Sequence, residues 1–328
     1  MTTKARRPIA VTQEAIVFCI FIVLFIAFSV LSKGFFSLDN ISSLLQNVAI
    51  LGMLSLGMGL VVIGRGIDLA IVSIMAITMA WTVLLLNSGM HIWLALGLGL
   101  GMAILIGAIQ GILIAYVEIP AIFATLAMAT AVYGFGRIAL VEQDISHLSA
   151  DVGALRGLGG GTLLGLPGPV WVMAVVALVF YLVLRFTKLG VLIRSIGDNP
   201  LRARIAGMPV RPLLVLQYMI SASVGFLAGL VTAMLVGSMN IRVVGSTLVY
   251  DVVLVVVLGG IGLSGGKGGV RNVIVGTLLI GTLLNGMTIL NVPYTYQNIV
   301  KGLILLIAIA ADSIVNPRDE QTSQQGDI

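Results

Sequence analysis

Long apolar runs dominate this sequence and leave few folds open to it. A helix needs about 20 apolar residues to cross the roughly 30 Å hydrocarbon core of a bilayer. The composition, 59% hydrophobic and only 9% charged, is far from that of a soluble domain. We therefore expect an all-α, polytopic membrane protein with about ten transmembrane helices. The runs lie near residues 15–32, 44–63, 69–86, 92–116, 121–140, 170–187, 213–236, 248–262, 272–290 and 297–314.

The basic residues predict how these helices are oriented. With ten spans and an internal N-terminus, 13 of the 18 Lys and Arg fall on one side of the membrane. Since Lys and Arg accumulate in cytoplasmic loops, both termini are predicted to be cytoplasmic. The net charge of +5 is then explained by the cytoplasmic surface, which lies beside membrane lipid. A nucleic-acid partner is therefore not needed to explain it, and we expect none. The other side carries the remaining five, Lys33, Arg137, Arg156, Arg242 and Lys301.

The two ends of the chain differ in character. The first apolar run follows Lys4, Arg6 and Arg7 and, at about 18 residues, is longer than the hydrophobic region of a signal peptide, so we interpret it as a retained first helix. Residues 316–328 are polar and predict a disordered cytoplasmic tail after a transmembrane domain over residues 1–315. Cys19 is the only cysteine in the sequence, which excludes an internal disulfide and a metal site built on cysteines.

A weak internal repeat relates residues 101–126 to residues 276–303. In both, glycines along one helix precede a short polar turn with Pro120 or Pro293 and then another apolar run. The match relates helices four and five to helices nine and ten, an offset of five helices. Because this offset is odd, the two segments cross the membrane in opposite directions. The match therefore predicts an inverted repeat of five helices, which is typical of transporters. The alternative is that glycine-rich membrane helices resemble one another by chance. The glycines are Gly101, Gly107 and Gly111 in the first segment and Gly276, Gly281 and Gly286 in the second.

Residues 188–212 form the only long basic interruption between apolar runs, on the predicted cytoplasmic side. Asn199 followed by Pro200 is an N-cap followed by the residue that best suits the first helical position, and Gly207 with Pro209 predicts a stop. The spacing therefore predicts a two-turn helix over residues 200–206.

So short a helix is marginally stable alone and favours a partner. Leu201 and Ile205, four residues apart, give it an apolar edge beside basic side chains. We interpret it as a coupling element for a cytoplasmic subunit. The alternative is an ordinary basic loop.

Nothing in the sequence predicts a nucleotide site. The stretch from Gly260 to Gly265 matches G-x-G-x-x-G literally, but no soluble strand precedes it and no acidic residue follows about twenty positions later. Lys267 does not complete a phosphate-binding loop, because Ile261 stands where a glycine is required and Gly268 where Ser or Thr is required. We therefore expect that the chain has no cofactor and no enzymatic activity. Any ATP is expected to be hydrolysed by a separate polypeptide.

Charged residues inside the predicted spans are few, which disfavours an ion-driven carrier. Asp251 lies near the outer end of its span, where a solvated or helix-start role is favoured over proton relay. Asp68 either caps the following helix or has a gating role. The apolar run Leu248 to Leu258 spans half a membrane, so its helix is either broken or re-entrant, or simply followed by a glycine-rich loop. With only His91 and His147, both near span ends, a membrane-embedded enzyme is disfavoured.

Four segments together resemble the ribose-type permeases of ABC import systems: GRGIDLA (64–70), KLGVLIRSIGDNPLRARIAGMPV (188–210), VVLGGIGLSGGKGG (256–269) and LLNGMTILNVPYTYQNIVKGLIL (283–305). The chain departs from that family at Arg65, where a second glycine is usual, and at Ala70, where a serine is usual. It also departs before the glycine-rich stretch, where the acidic residue is commonly Glu and Tyr250 and Asp251 stand nearby here. The resemblance implies a multi-pass protein of the bacterial cytoplasmic membrane in which two permease copies form the pore, two cytosolic ATPases dock, and an external binding protein delivers a sugar. It places the ATPase-coupling role on Gly190, Arg194, Gly197, Asp198, Asn199, Arg204 and Gly207. We add Arg202 from the basic side chains of the short helix.

Uncharged polar groups are suited to lining a path for a sugar or polyol. We expect the translocation path among Gln46, Asn47, Asp68, Asn285, Tyr294 and Gln297. The alternative for each amide is a hydrogen bond between helices. Two other functions stay open: a permease for branched-chain amino acids, and an uncoupled channel.

Overall fold

The computed structural model describes residues 13–149 and 151–315 and is built mainly of α-helices. Lys4, Arg6, Arg7 and the predicted tail 316–328 lie outside the described residues. The helices are α1 (Gln13–Leu31), α2 (Leu38–Ile63), α3 (Ile71–Asn87), α4 (Ile92–Ala115), α5 (Ala121–Ala139), α6 (Arg156–Gly159), α7 (Gly168–Phe186), α8 (Lys188–Asp198), α9 (Pro200–Ile205), α10 (Val210–Val236), α11 (Leu248–Leu258), α12 (Val270–Ile289) and α13 (Tyr294–Val315).

Short strands and 3-10 turns occur in the connections. Strand β1 (Ile145–His147) pairs antiparallel with β4 (Ser238–Asn240), and β2 (Thr162–Leu163) pairs antiparallel with β3 (Leu166–Pro167). Single 3-10 turns cover Gly153–Leu155 and Ile241–Gly245. The β1–β4 pair connects two loops that are about 90 residues apart in the sequence, and so fixes the segment between α10 and α11.

Each of the ten predicted apolar runs coincides with one of the long helices, although boundaries shift. Seven helices are long and apolar enough to cross a membrane: α1, α2, α4, α5, α7, α10 and α12. The apolar parts of α3, α11 and α13 are shorter. The prediction of a polytopic, all-α membrane protein is confirmed, while the number of spans stays a prediction.

The centre of the bundle is formed by α2, α3 and α10. α10 packs against α2, α3 and α4, and α2 packs against α7, α11 and α12. α3 also contacts α4 and α5, while α11 contacts α12 and α13. Close approach depends on small residues: Gly107 and Gly111 of α4 lie directly against the backbone of α10. Helices α1, α4, α5 and α7 leave many large apolar side chains exposed on the outside of this centre, as a lipid-facing surface requires.

The two ends of the bundle carry different structures. At the β1 end, defined by the β1–β4 pair, the Asn87 side chain at the end of α3 donates to the backbone oxygen of His147 (2.7 Å). At the α9 end, α8 lies beside the end of α2 and the glycine-rich segment 259–269, and α9 contacts α8 and α10. A functional connection between the two ends must therefore run along the central helices.

Arg65, where the chain departs from the resembled family, has a left-handed backbone, with φ of 71°. A side chain is disfavoured in that conformation, whereas glycine adopts it freely. This explains why a glycine suits the position. Gly265, from the glycine-rich segment, lies against the Arg65 backbone, so this turn is part of the contact between α2 and that segment.

Candidate functional site

The predicted short helix is present as α9, one residue shorter than expected. The side-chain oxygen of Asn199 accepts a hydrogen bond from the backbone N–H of Arg202 (2.9 Å), and Pro200 follows at the first helical position. Gly207 has a φ of 77°, which ends the helix in the way the sequence predicts. The local signals for this element are therefore confirmed.

The eight predicted coupling residues fall into two groups. Gly190 and Gly197 are buried, and the Arg194 guanidinium donates to the backbone oxygen of Leu184 (3.0 Å), so these three attach α8 to the bundle. Asp198, Arg202, Arg204 and Gly207 are exposed, and Asn199 caps α9. Leu201 and Ile205, the predicted apolar edge, are 65% and 79% exposed. The structure thus presents a basic helix with an exposed apolar edge on a firmly packed base.

Gly197 is the point where α8 meets the rest of the bundle. It lies directly against the backbone oxygen of Ile63, at the end of α2, and against the backbone of Gly266. The Gly266 N–H donates to that same Ile63 oxygen (2.8 Å), and the Asp198 side chain lies against Gly266. Three separate segments therefore meet within van der Waals distance at one glycine. The sequence gives no signal for this contact, because its members are far apart in the chain.

A cavity of about 700 Å³ opens at the β1 end, between α2, α10, α11 and α12. Its volume lies in the range of sites for small molecules. The residues from α3 and α10 are mostly apolar, whereas α2, α11 and α12 contribute amide, carboxylate and hydroxyl groups. The polar lining includes Asn47, Asn240, Arg242, Ser246, Asp251, Asn285 and Thr288.

Two of the six predicted path residues, Asn47 and Asn285, line this cavity. Asn285 exchanges a pair of amide hydrogen bonds with Asn40 (2.9 and 3.1 Å), a partner that sequence reasoning missed. Gln46 is not among the described residues that line the cavity. The Gln297 side chain donates to the backbone oxygen of Val292 (2.9 Å) and closes a local turn.

Asp251 lines the cavity and forms a buried ion pair. It lies in the first turn of α11, and its carboxylate lies 2.9 Å from the Lys301 ammonium of α13; the two side chains are 9% and 7% exposed. Lys301 also donates to the Thr247 hydroxyl (2.6 Å) and lies over the Tyr294 ring, 5.6 Å from its centre. Asp251 lies at the helix start, as one interpretation had it, but it is buried, so the solvated interpretation is wrong. Lys301, counted among the basic residues of the outer side, lies within α13 and is buried.

The sequence contains a signal for this pair. Two opposite charges in neighbouring apolar runs are costly unless they meet. Tyr294, a predicted path residue, is placed beside the cavity by its contact with the Thr247 hydroxyl (3.0 Å). The pair therefore joins α11 to α13 at the cavity wall.

Replacing Lys301 with methionine is expected to destabilise the protein by about 3 kcal/mol, because it leaves the Asp251 carboxylate buried without its charge partner. Thermal unfolding of the purified protein in detergent measures the change. The control is the double replacement Asp251→Leu with Lys301→Leu, which is expected to stay within about 1 kcal/mol of the native protein. Equal losses in the single and double variants would contradict the expectation.

Asp68, the remaining predicted path residue, lies away from this cavity and is fully buried. One carboxylate oxygen accepts from the Gln110 amide of α4 (2.9 Å) and from the backbone N–H of Ala70 (3.1 Å). The other accepts from the Ser221 hydroxyl of α10 (2.6 Å). Since α3 begins at Ile71, the carboxylate does hold the start of that helix, and it also connects that start to two other helices.

The surface at the β1 end carries an ionic bridge. The Asp144 carboxylate accepts from Arg137 (2.9 Å) at the end of α5 and from Arg242 (2.8 Å) beside the cavity. Within residues 13–149 and 151–315, no three His, Cys, Asp or Glu side chains lie close enough to hold a metal ion. The bridge links the loop that carries β1 to the cavity rim.

Comparisons with known proteins agree along almost the whole chain. Residues 40–309 match the family model described as branched-chain amino acid transport system / permease component. The ribose import permease protein RbsC of Haemophilus influenzae is 30% identical over 302 residues, covering 92% of this chain and 93% of that protein. RbsC of Bacillus subtilis is 33% identical, covering 88% and 89%. The L-arabinose transport system permease protein AraH of Escherichia coli is 31% identical, covering 89% and 88%.

No solved structure matches the chain. The family match covers the α9 end, the cavity and every helix from α3 to α12. The chain therefore belongs to this family of transport-system permeases, and the resemblance to the permeases of ABC import systems is confirmed.

Proposed function

We propose that this protein is the transmembrane permease subunit of an ABC importer in the bacterial cytoplasmic membrane and forms the path for a sugar or related polyol. An external binding protein delivers the solute, and a separate cytosolic ATPase hydrolyses ATP. The observation that carries the proposal is the exposed helix α9, capped by Asn199 and fixed to the central helices through Gly197, at the opposite end from the cavity.

The α9 end faces the cytoplasm in this proposal and the β1 end faces outward. The basic residues of α8, α9 and the start of α10 support the assignment, because positive charge accumulates on the cytoplasmic side. Both termini are then cytoplasmic. Labelling of intact cells by a membrane-impermeant thiol reagent, with a cysteine placed at Leu164, tests this orientation.

An inverted repeat is supported by matched helix contacts. The pairs α4–α10, α3–α10 and α3–α5 correspond, at an offset of five long helices, to α12–α2, α11–α2 and α11–α13. The glycines agree with the match: Gly107 of α4 lies against α10, and Gly281 of α12 lies against Val48 of α2. Two halves of opposite orientation are an arrangement typical of transporters that open alternately to the two sides.

A sugar is favoured as the solute over a branched-chain amino acid. The compared relatives are named for ribose and L-arabinose, and the cavity offers amides and hydroxyls suited to a neutral polyol. The family description names branched-chain amino acids, which keeps them as the second candidate. A second copy of the chain, implied by the resemblance, completes the pore, and lipid covers the exposed apolar helix faces.

Import by the complete assembly tests the function. The permease is purified from its native membrane in mild detergent with its associated chains, which we expect to include an ATPase, and is reconstituted in vesicles with its external binding protein. We expect ATP-dependent uptake of D-ribose, L-arabinose or D-galactose. Uptake of leucine with no sugar taken up would favour the second candidate, and uptake without ATP would point to a channel.

The exposed edge of α9 provides a direct test of docking. Replacing Leu201 and Ile205 with glutamate is expected to release the ATPase and reduce uptake at least about tenfold, because two buried apolar contacts are worth a few kcal/mol at an interface. Both side chains are exposed in the single chain, so folding should be unaffected. The control is Leu164→Glu, equally exposed at the opposite end, which should keep the ATPase. Retention of the ATPase by the α9 variant would refute the docking role.

A further inference from the structure

We propose that the Asp251 carboxylate, held in place by Lys301, is the acceptor through which the outer cavity recognises the hydroxyl groups of the sugar. This specificity-determining role rests on the proposed function. It assigns Asp251 a contact with the solute in addition to its contact with α13.

The first support is position. Asp251 is the acidic residue among the groups that line the cavity, and it lies in the first turn of α11. Asn47 of α2 and Asn285 of α12 line the same cavity. Carboxylate and amide groups from three helices therefore surround one space of about 700 Å³.

The second support is that Lys301 holds the carboxylate in one orientation and balances its charge. The ammonium contacts both carboxylate oxygens, at 2.9 and 3.1 Å, and its remaining donor capacity is used by Thr247 (2.6 Å). A buried carboxylate is costly without such a partner. With it, α11 presents an immobilised anion at the cavity wall, and little conformational entropy remains to be lost when a ligand binds.

The third support is chemical match. An ionised carboxylate only accepts hydrogen bonds, and a sugar hydroxyl can donate one; hydrogen bonds to a charged group are about twice as strong as neutral ones. The neighbouring amides of Asn47 and Asn285 can both donate and accept, which suits the other hydroxyl groups. Apolar side chains from α3 and α10, including Met75 and Leu235, complete the lining and suit the C–H face of a sugar ring. A neutral polyol fits this combination, since the ion pair already balances its own charge.

The competing explanation is that the pair only joins α11 to α13. Two double variants separate the explanations. The exchange Asp251→Lys with Lys301→Asp keeps an ion pair between the helices but removes the carboxylate from position 251. The replacement of both residues by leucine removes both charges and keeps apolar packing, which is often tolerated where a buried pair is not essential.

The experiment measures import by vesicles that contain the complete assembly. The first probe is whichever of D-ribose, L-arabinose and D-galactose the native assembly imports fastest. The other probes are those monodeoxy derivatives of this sugar that the binding protein still binds. Each probe is supplied bound to the binding protein, at a concentration of the complex that saturates import. Under these conditions differences in the affinity of the binding protein for each sugar do not affect the compared import rates. We expect both double variants to assemble at native yield and to import the parent sugar at least about tenfold more slowly, the effect of losing one charge-assisted hydrogen bond.

The native assembly should also import at least one monodeoxy derivative about tenfold more slowly than the parent, and the leucine variant should lose that difference. Asp39→Asn, which alters an exposed carboxylate in the first turn of α2, is the matched control and should import normally. Native import rates in the exchanged variant would overturn the inference and leave the proposed function intact. Import of leucine and no sugar by the native assembly would overturn both.

Discussion

Replacing Gly197 with valine is expected to uncouple ATP hydrolysis from uptake while the protein stays inserted in the membrane. A side chain at this position would meet the backbone oxygen of Ile63 and the backbone of Gly266, neither of which can rotate aside. Overpacking against fixed backbone costs about 1–3 kcal/mol, so α8 should shift away from α2. Uptake should fall at least about tenfold while the ATPase, in the same vesicles, keeps hydrolysing ATP.

Alanine provides a graded version of this test, because a single methyl group already makes the same contacts. Gly197→Ala should impair coupling in the same direction. Gly101→Ala is the control: Gly101 lies within α4 and has open space around it, so a methyl group there should be harmless. Normal coupling in Gly197→Ala would mean that α8 does not transmit motion through this contact.

The coupling element illustrates what local sequence can predict. Asn199 and Pro200 specify the start of α9, and Gly207 specifies its end, because caps and turns are set by neighbouring residues. Hydropathy likewise predicted where the long helices lie. The contact of Gly197 with Ile63 and Gly266 was beyond reach, since it depends on how three distant segments pack.

The candidate path was predictable only in part. Gln46 and Asn47 are equally polar neighbours on one helix, and successive helical residues point about 100° apart, so packing alone decides that Asn47 faces the cavity. Asn285 was predicted, but its partner Asn40 belongs to a distant helix. Lys301 was counted as a basic residue of the outer side, whereas its pairing with Asp251 allows it to be buried within α13.

Replacing Asp68 with leucine is expected to reduce the free energy of unfolding by about 4 kcal/mol and to abolish uptake. The carboxylate accepts hydrogen bonds from Gln110 of α4 and from Ser221 of α10, and it is fully buried. Without it both donors are left unsatisfied in an apolar interior, at about 1–3 kcal/mol each. Thermal unfolding in detergent, with uptake measured in parallel, gives both quantities.

Two further variants distinguish the loss of hydrogen bonds to Asp68 from a simple packing defect as the cause of the lower stability. Asp68→Asn keeps the size of the side chain and one acceptor oxygen, so it should cost less than leucine. A triple variant, Asp68→Leu with Gln110→Leu and Ser221→Ala, removes the two stranded side-chain donors and leaves only the Ala70 N–H unpaired. It should recover most of the stability, since replacing both partners of a buried hydrogen bond by apolar groups is nearly neutral. We expect uptake to stay low in the triple variant, because the polar connection between the start of α3 and helices α4 and α10 is still missing. Full recovery of uptake would mean that Asp68 contributes to stability alone, and that the motion started at α9 reaches α10 without it.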